Sequence, residues 1–351
     1  MSNYCTFFDQ GYLAQGLALW QSLRRHDAAA SCWVLALDEE TGSALRALAE
    51  PGLRVVPLAE LLATDPELAA VQAGRPRTEF LFTLKPCFCR HVLRAGAGVR
   101  SLVYLDSDVY FFGSPAAIEQ ELGARSVLIV PHRFPSWHDE GSHYGRFNAG
   151  VIAFRDDAVG RACLERWRQQ CLASCGLAGD GVAYGDQKYL DEWPERWGAA
   201  AGVSTNPGLN LAPWNWARHA CVAGAAGVEV DGVPLIAFHF AQFRRVSGSW
   251  FDSGQLEYGV MPLRLRSAIY GAYWAALVAA ETNLRAVSPG YAIPRRGWGA
   301  SLGPWHLALL RLAWGQFWLK LGPCWVAGRL GVGQFSGRAM GRYRKWQRSG
   351  A

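Results

Sequence analysis

Apolar and polar positions fall into short blocks of two periods up to about residue 250. Apolar runs read as strands buried on both faces: Tyr4–Phe8, Ser31–Leu37, Leu53–Val56, Ser101–Leu105, Val127–Val130, Val151–Phe154 and Leu235–Phe240. Between them, apolar residues recur at helical spacing in Tyr12–Arg25, Glu39–Leu48, Phe80–Leu93 and Asp157–Leu172. Pro86 is expected to break or start a helix, because proline lacks an N–H and its ring crowds the preceding turn. Strands alternating with helices predict an α/β fold, a mostly parallel sheet with helices on both faces. Gly202–Gly227, rich in Asn, Pro, Gly and Trp, reads as a loop region forming one wall of a pocket.

The pattern changes after about Ser253. Leu263–Val287 reads as one helix carrying Tyr270, Tyr273 and Trp274. Trp305–Val326 is apolar and aromatic, interrupted by Arg311 and Lys320. No stretch reaches the ~18 uncharged apolar residues that a membrane span needs. The pattern divides the chain into a catalytic-type body, residues 1–262, and a helical extension, residues 263–351.

Charge sharpens that division. Before Arg285 there are 24 basic and 29 acidic residues; from Arg285 onward there are eleven basic residues and no acidic one. Trp298, Trp305, Trp314, Trp318, Trp325 and Trp346 interleave with those basic residues. Aromatic and basic residues together suit an anionic membrane surface, so the extension is expected to attach the chain peripherally. A nucleic acid is the rival partner for such a segment and is not expected. Met1-Ser2-Asn3 runs directly into the first strand with no basic or small-residue leader pattern. The nine cysteines are odd in number, irregularly spaced and without a CxxC pair, which argues for reduced buried thiols and against zinc. The expected place is the cytoplasmic side, on the inner face of the plasma membrane.

The chemistry concentrates at strand ends. Asp106-Ser107-Asp108 follows the run Ser101–Leu105. Residues two apart on an extended chain point to one side, so both carboxylates face one space. Two hard oxygen ligands suit Mg²⁺ or Mn²⁺, which keeps positions for phosphate oxygens. Either aspartate equally suits a turn or helix cap. Thr6-Phe7-Phe8-Asp9 ends the first strand, where open α/β sheets hold nucleotides. There is no GxGxxG and no GxxxxGK[ST], which excludes a dinucleotide fingerprint and a P-loop. Asn148 and Gly150 read as a turn before a strand that offers amide hydrogen bonds and a close backbone approach. Gly185-Asp186-Gln187-Lys188 opens a short helical stretch, with Asp186 open to an N-cap role or to sugar hydroxyls. His239 ends the last strand, either as a satisfied core histidine or as a third metal ligand, and Arg244 and Arg245 follow it.

In order and spacing, these pieces resemble glycosyltransferase family 8 and its relatives of the A-type (GT-A) fold: Tyr4-Cys5-Thr6-Phe7 with Asp9, Asp106-Ser107-Asp108, Phe147-Asn148-Ala149-Gly150-Val151, Asp186-Gln187, and His239-Phe240. The resemblance covers about residues 1–250. It implies a Rossmann-like GT-A sheet, a nucleotide-sugar donor, usually a UDP-sugar, and a Mn²⁺ or Mg²⁺ ion. By position it implies metal ligation by Asp106, Asp108 and His239. It implies nucleoside and donor contacts by Thr6, Phe7, Asp9 and Ser107, and donor-sugar contacts by Asn148, Asp186 and Gln187. Lys85 falls in a helix near the donor. Gln187 would lie at the anomeric carbon of a transfer with retention, and Arg245 would neutralise the departing diphosphate. The acceptor would be a glycan or lipid-linked hydroxyl in cell-surface glycan synthesis. Two departures stand out: the family's His-x-x-Gly-x-x-Lys reads His239-Phe240-Ala241-Gln242-Phe243-Arg244-Arg245, and its Asp-Gln-Asp reads Asp186-Gln187-Lys188. The rival readings are a nucleotidyltransferase, which would bring a glycine-rich basic loop after the first strand, and a sugar-nucleotide-binding protein without catalysis.

Overall fold

A computed structural model describes residues 2–135, 141–176, 184–247, 250–253, 258 and 260–294. In chain order the elements are β1 (Asn3–Phe8), α1 (Leu13–His26), β2 (Ser31–Ala36), α2 (Glu39–Leu48), β3 (Leu53–Pro57), α3 (Leu58–Thr64), α4 (Pro66–Gln72), α5 (Arg77–Ala95), β4 (Ser101–Leu105) and β5 (Val109–Phe111). There follow α6 (Ala116–Leu122), β6 (Val127–Pro131), α7 (Gly141–Tyr144), β7 (Phe147–Arg155), α8 (Ala158–Ala173), α9 (Trp193–Trp197), β8 (Ala201–Val203), β9 (Cys221–Gly224), β10 (Gly227–Val230), β11 (Val233–Pro234), β12 (Ala237–His239), β13 (Arg244–Ser247), β14 (Trp250–Asp252), α10 (Leu263–Arg266) and α11 (Ala272–Val287).

Seven strands make one sheet in the order β3-β2-β1-β4-β7-β6-β8. All neighbours are parallel except β7, which runs against both β4 and β6. The mostly parallel α/β sheet expected from the sequence is therefore present. Its strands are apolar on both faces because both are covered. On β4, Val103 and Leu105 join the core under α1, α11 and β12, while Leu102 and Tyr104 join the core under α5 and α8. Each fully buried aliphatic or aromatic side chain of these layers contributes about 1.5–3 kcal/mol.

Three readings change. Helix α5 runs unbroken through Pro86. Leu84, Cys87 and Phe88, on either side of the proline, are fully buried, and their packing offsets the ~3 kcal/mol that an interior proline costs. Strand β7 begins at Phe147, so Asn148 and Gly150 are strand residues and not a preceding turn. The β6–β7 register jumps from Ile129↔Ile152 to Val130↔Asn148, a bulge that re-aims these side chains. The stretch from Gly202 to Gly227 is only partly loop, since it contains β9 and borders β8 and β10.

Leu263–Val287 is continuously helical, with a π-turn at Ser267–Gly271. It packs on α1 and α2, and Tyr270, Tyr273, Leu277 and Leu284 belong to the same core as α1. Trp305–Val326 and the tryptophans interleaved with the basic tail lie outside the described residues. Among the described residues no helix is long and apolar enough to cross a membrane. The eight described cysteines are free and seven are buried.

Candidate metal centre and active site

One strand missing from the sequence reading, β5, brings the site together with β12, which lies within the expected strand Leu235–Phe240. After β4 the chain turns at Asp106-Ser107-Asp108 and continues as β5. Strand β12 pairs antiparallel with β5, placing His239 opposite Val109. Phe240 N donates to Asp108 O at 2.8 Å and closes the ladder beside the aspartates. Asp106, Asp108 and His239 each offer a ligand atom, all within 4.8 Å of one another. His239 Nε2 lies 3.1 Å from Asp108 Oδ1 and 3.7 Å from Asp106 Oδ2.

The ring of His239 is oriented by a chain of hydrogen bonds. His239 Nδ1 lies 3.2 Å from Asn148 Oδ1. That oxygen also accepts from Gly150 N and from Asn210 Nδ2, each at 3.0 Å. Three donors around one atom identify it as the amide oxygen, so His239 Nδ1 carries a proton and Nε2 faces the carboxylates. Asn148 Nδ2 in turn reaches His132 Nε2 at 3.5 Å, and His132 Nδ1 donates to Gly145 O at 2.9 Å. Burial drives the His132 pKa down to about 3, so that ring stays neutral and can accept from Asn148. Gly150 is required here: a Cβ would stand 2.5 Å from His239 Cε1 and 2.7 Å from Asn148 Oδ1. The close approach expected at Gly150 is made by the imidazole.

On the other side, Lys85 from α5 lies 3.0 Å from Asp106 Oδ1 and 3.1 Å from Asp186 Oδ2. Tyr104 OH donates to Asp106 Oδ1 at 2.8 Å. Asp186 is held by Trp167, whose Nε1 donates to its carbonyl at 2.9 Å. Gln187 follows it, at the N-terminus of a short 3-10 turn, and its side chain makes no capping bond.

The electrostatics are unbalanced. Three carboxylates, Asp106, Asp108 and Asp186, face one ammonium, Lys85, and one imidazole. Burial works against a charged Lys85, but Asp106 and Asp186 outweigh it and raise its pKa. Burial, with the Asp106 charge, raises the Asp186 pKa. At Asp108 burial is outweighed by the His239 charge and hydrogen bonds, which hold the pKa down. At His239 burial is outweighed by Asp108 and then Asp106, which raise the pKa. With His239 neutral the cluster is two positive charges short, which is what a divalent cation supplies. The donor set therefore fits such an ion.

The remaining candidates lie around this centre. Thr6 is buried on β1, and its Oγ1 has no hydrogen-bond partner among the described residues. Phe7 packs near Tyr104, with ring centroids 6.0 Å apart. Asp9 caps the turn after β1 through Gly11 N at 2.9 Å and pairs with Arg77. Ser107 sits half-buried between the two aspartates. Arg245, on β13, pairs with Glu281 at 3.1 Å and lies over Trp274. Gln242 adopts φ +64, the left-handed conformation that favours glycine, so the turn after His239 keeps its shape without the glycine. Sequence reasoning missed Tyr104, His132, Asn210 and Trp214. Only Tyr104, two residues before Asp106 on an extended chain, carried a local signal.

No family model matches the chain. It is 34% identical over 255 residues to the uncharacterized protein YfnF of Bacillus subtilis, covering 70% of this chain and 83% of that protein. It is 28% identical over 256 residues to the uncharacterized protein YfnD of the same organism, covering 71% and 80%. Among solved structures, a galactosyltransferase LgtC in complex with donor and acceptor sugar analogues matches at a TM-score of 0.50 and 16% identity, covering 79% of this chain and 95% of that one. The sheet and its covering helices thus have the GT-A fold.

Proposed function

Because this chain belongs to the family of the Bacillus subtilis protein YfnF and carries the GT-A fold, we propose that it is a metal-dependent glycosyltransferase. In this reading it moves a sugar from a nucleoside diphosphate, preferably UDP, to a hydroxyl acceptor with retention at the anomeric carbon. One observation carries the reading: Asp106, Asp108 and His239 converge from two distant stretches of chain, and their cluster is short of positive charge.

Asp106, Asp108 and His239 would hold the ion, which supplies Lewis-acid stabilisation of the departing diphosphate. Asn148 keeps the His239 Nε2 lone pair available for it. Lys85 balances Asp106 and Asp186 and holds Asp186 in place, where it would contact the donor sugar. Gln187, whose amide caps nothing, would place its carbonyl oxygen near the anomeric carbon as oxocarbenium character develops. Thr6, Phe7, Asp9 and Ser107 would border the nucleoside. Arg245 would add positive charge near the diphosphate through the fraction of its field that Glu281 leaves uncancelled.

The basic, tryptophan-rich tail supports a further part of the reading, peripheral attachment to an anionic membrane face and a role in cell-surface glycan synthesis. Hydrolysis of UDP-sugars with and without Mn²⁺ tests the enzyme reading. Turnover that needs the ion and disappears in Asp108→Asn supports it; metal-independent turnover, or none for any nucleotide sugar, sinks it. NMR of the transfer product tests retention, and an inverted anomeric centre refutes that part.

A further inference from the structure

A cleft of about 640 Å³ opens beside the metal cluster, lined among others by Arg133, Phe134, Arg146, Arg218, His219 and Asp231. Its volume lies in the range of small-molecule sites. His132 forms part of its wall. Trp214 packs against both His132 and His239, with ring centroids 5.7 and 5.2 Å away, so one layer of side chains separates the cleft from the cluster.

The charges of the cleft are only partly compensated. Three guanidiniums and one carboxylate line it. Arg146 turns to Glu195 at 3.8 Å and to the Asp191 carbonyl, which leaves Arg133 and Arg218. That carboxylate, Asp231, is already occupied by His219 Nδ1 at 2.6 Å and Ala220 N at 2.7 Å. Arg133 is held in the left-handed region, at φ +54, a conformation that a long side chain adopts at a cost. Its guanidinium donates only to backbone carbonyls, Ser204 O at 2.7 Å and Leu209 O at 3.4 Å. Arg218 donates to Phe134 O at 3.2 Å. Among the described residues neither arginine forms an ion pair with a carboxylate. Burial lowers the Arg133 pKa, Glu121 offsets part of this, and Arg218 lowers it further. Arg133 is half-buried and Arg218 exposed, so two neighbouring guanidiniums without an ion-paired carboxylate form a solvent-reachable positive pair that an anion can join. Their planar forks match phosphate oxygens.

We propose that this cleft binds a phosphate group carried by the acceptor, with Arg133 and Arg218 on the phosphate and Phe134 against its carbon skeleton. The word acceptor rests on the glycosyltransferase reading; the phosphate site does not. The test uses the full chain in EDTA and titrates glycerol 3-phosphate, a monoester, and glycerophosphoglycerol, a diester, by calorimetry, with glycerol as neutral control. The expected result is saturable binding of the phosphate compounds and none of glycerol. Binding should weaken about tenfold or more in Arg218→Glu, an exposed position that leaves folding intact, and in Arg133→Met. The tighter of the two compounds distinguishes a terminal phosphate from an internal linkage. No saturable binding, or unchanged binding in folded Arg218→Glu, overturns the proposal. The enzyme reading fails separately: phosphate binding without nucleotide-sugar turnover keeps the site and removes the enzyme, and turnover without phosphate binding does the reverse.

Discussion

Among the described residues, two clusters of buried charge are built on opposite terms. In the first, Arg168 is 1% exposed and binds Asp65 through two nitrogens, Glu67 at 2.7 Å and Glu165 at 2.9 Å. Arg90 adds bonds to Asp65 at 3.4 Å and Glu165 at 2.8 Å. Asp65 also caps α4 through Leu68 N. Every oxygen of Asp65 has a donor, and the cluster ties α4 and α5 to α8. In the second, Asp106, Asp108 and Asp186 share Lys85 and His239, and the acid is in excess. Saturated charge is architecture. Charge left short at a strand end is a place for something the chain does not itself contain.

The largest expected effect falls on the saturated cluster. Arg168→Ala removes the main partner of the buried Asp65 and should destabilise the fold by about 3–5 kcal/mol, read as a lower midpoint in urea. Activity per folded molecule should hardly change, and a loss confined to turnover would erase the distinction between the clusters. Asp108→Asn should do the reverse. Turnover should fall about a hundred- to a thousandfold, while metal-free stability is kept or rises because one surplus carboxylate is gone.

Gly150→Ala should cost about 1–3 kcal/mol by overpacking against His239, and should weaken Mn²⁺ binding measured by calorimetry. Retained affinity would mean that the imidazole is not a ligand.

The two clusters should also answer pH in different windows. The His239 pKa is raised in the fold, so its contribution to metal-free stability is complete below its ordinary value of about 6.5 and is lost as pH rises through the raised value. A metal must displace that proton, so the thermal shift given by Mn²⁺ should grow as pH rises above the ordinary imidazole value of about 6.5. The Asp65 pKa is lowered: burial opposes ionisation, but Arg168 outweighs it. Its contribution is present above its ordinary value of about 3.9 and is lost as pH falls through the lowered value. A Mn²⁺ shift that is flat in pH would contradict the role given to His239. The smallest effect is at Gln242: Gln242→Gly should stabilise by about 1 kcal/mol or less in thermal melts, because glycine relieves the left-handed strain.

The acidic pair was legible because it follows a buried strand, where i and i+2 periodicity alone aims both carboxylates. His239 was legible only as the end of an apolar run; its place opposite Val109 depends on pairing with β5, a three-residue strand that the pattern did not reveal. Asn148 was read in the right neighbourhood but with the wrong local structure, since the bulge in β7 arises from its partner β6. The Arg168–Asp65 pair was not legible at all, because 103 residues separate its members and neither sits in a motif. Helix α5 shows the same limit: Pro86 argues locally for a break, and packing on both sides of it decides otherwise.

The central claim is that Asp106, Asp108 and His239 together hold one divalent cation. Anomalous diffraction at the manganese edge, from crystals grown with Mn²⁺ and UDP, tests it most directly. The account predicts a single strong peak among these three side chains, with the His239 ring nitrogen pointing at it and Asn148 behind. A peak elsewhere, or none at saturating manganese while His239 stays bonded to Asp108, would contradict it.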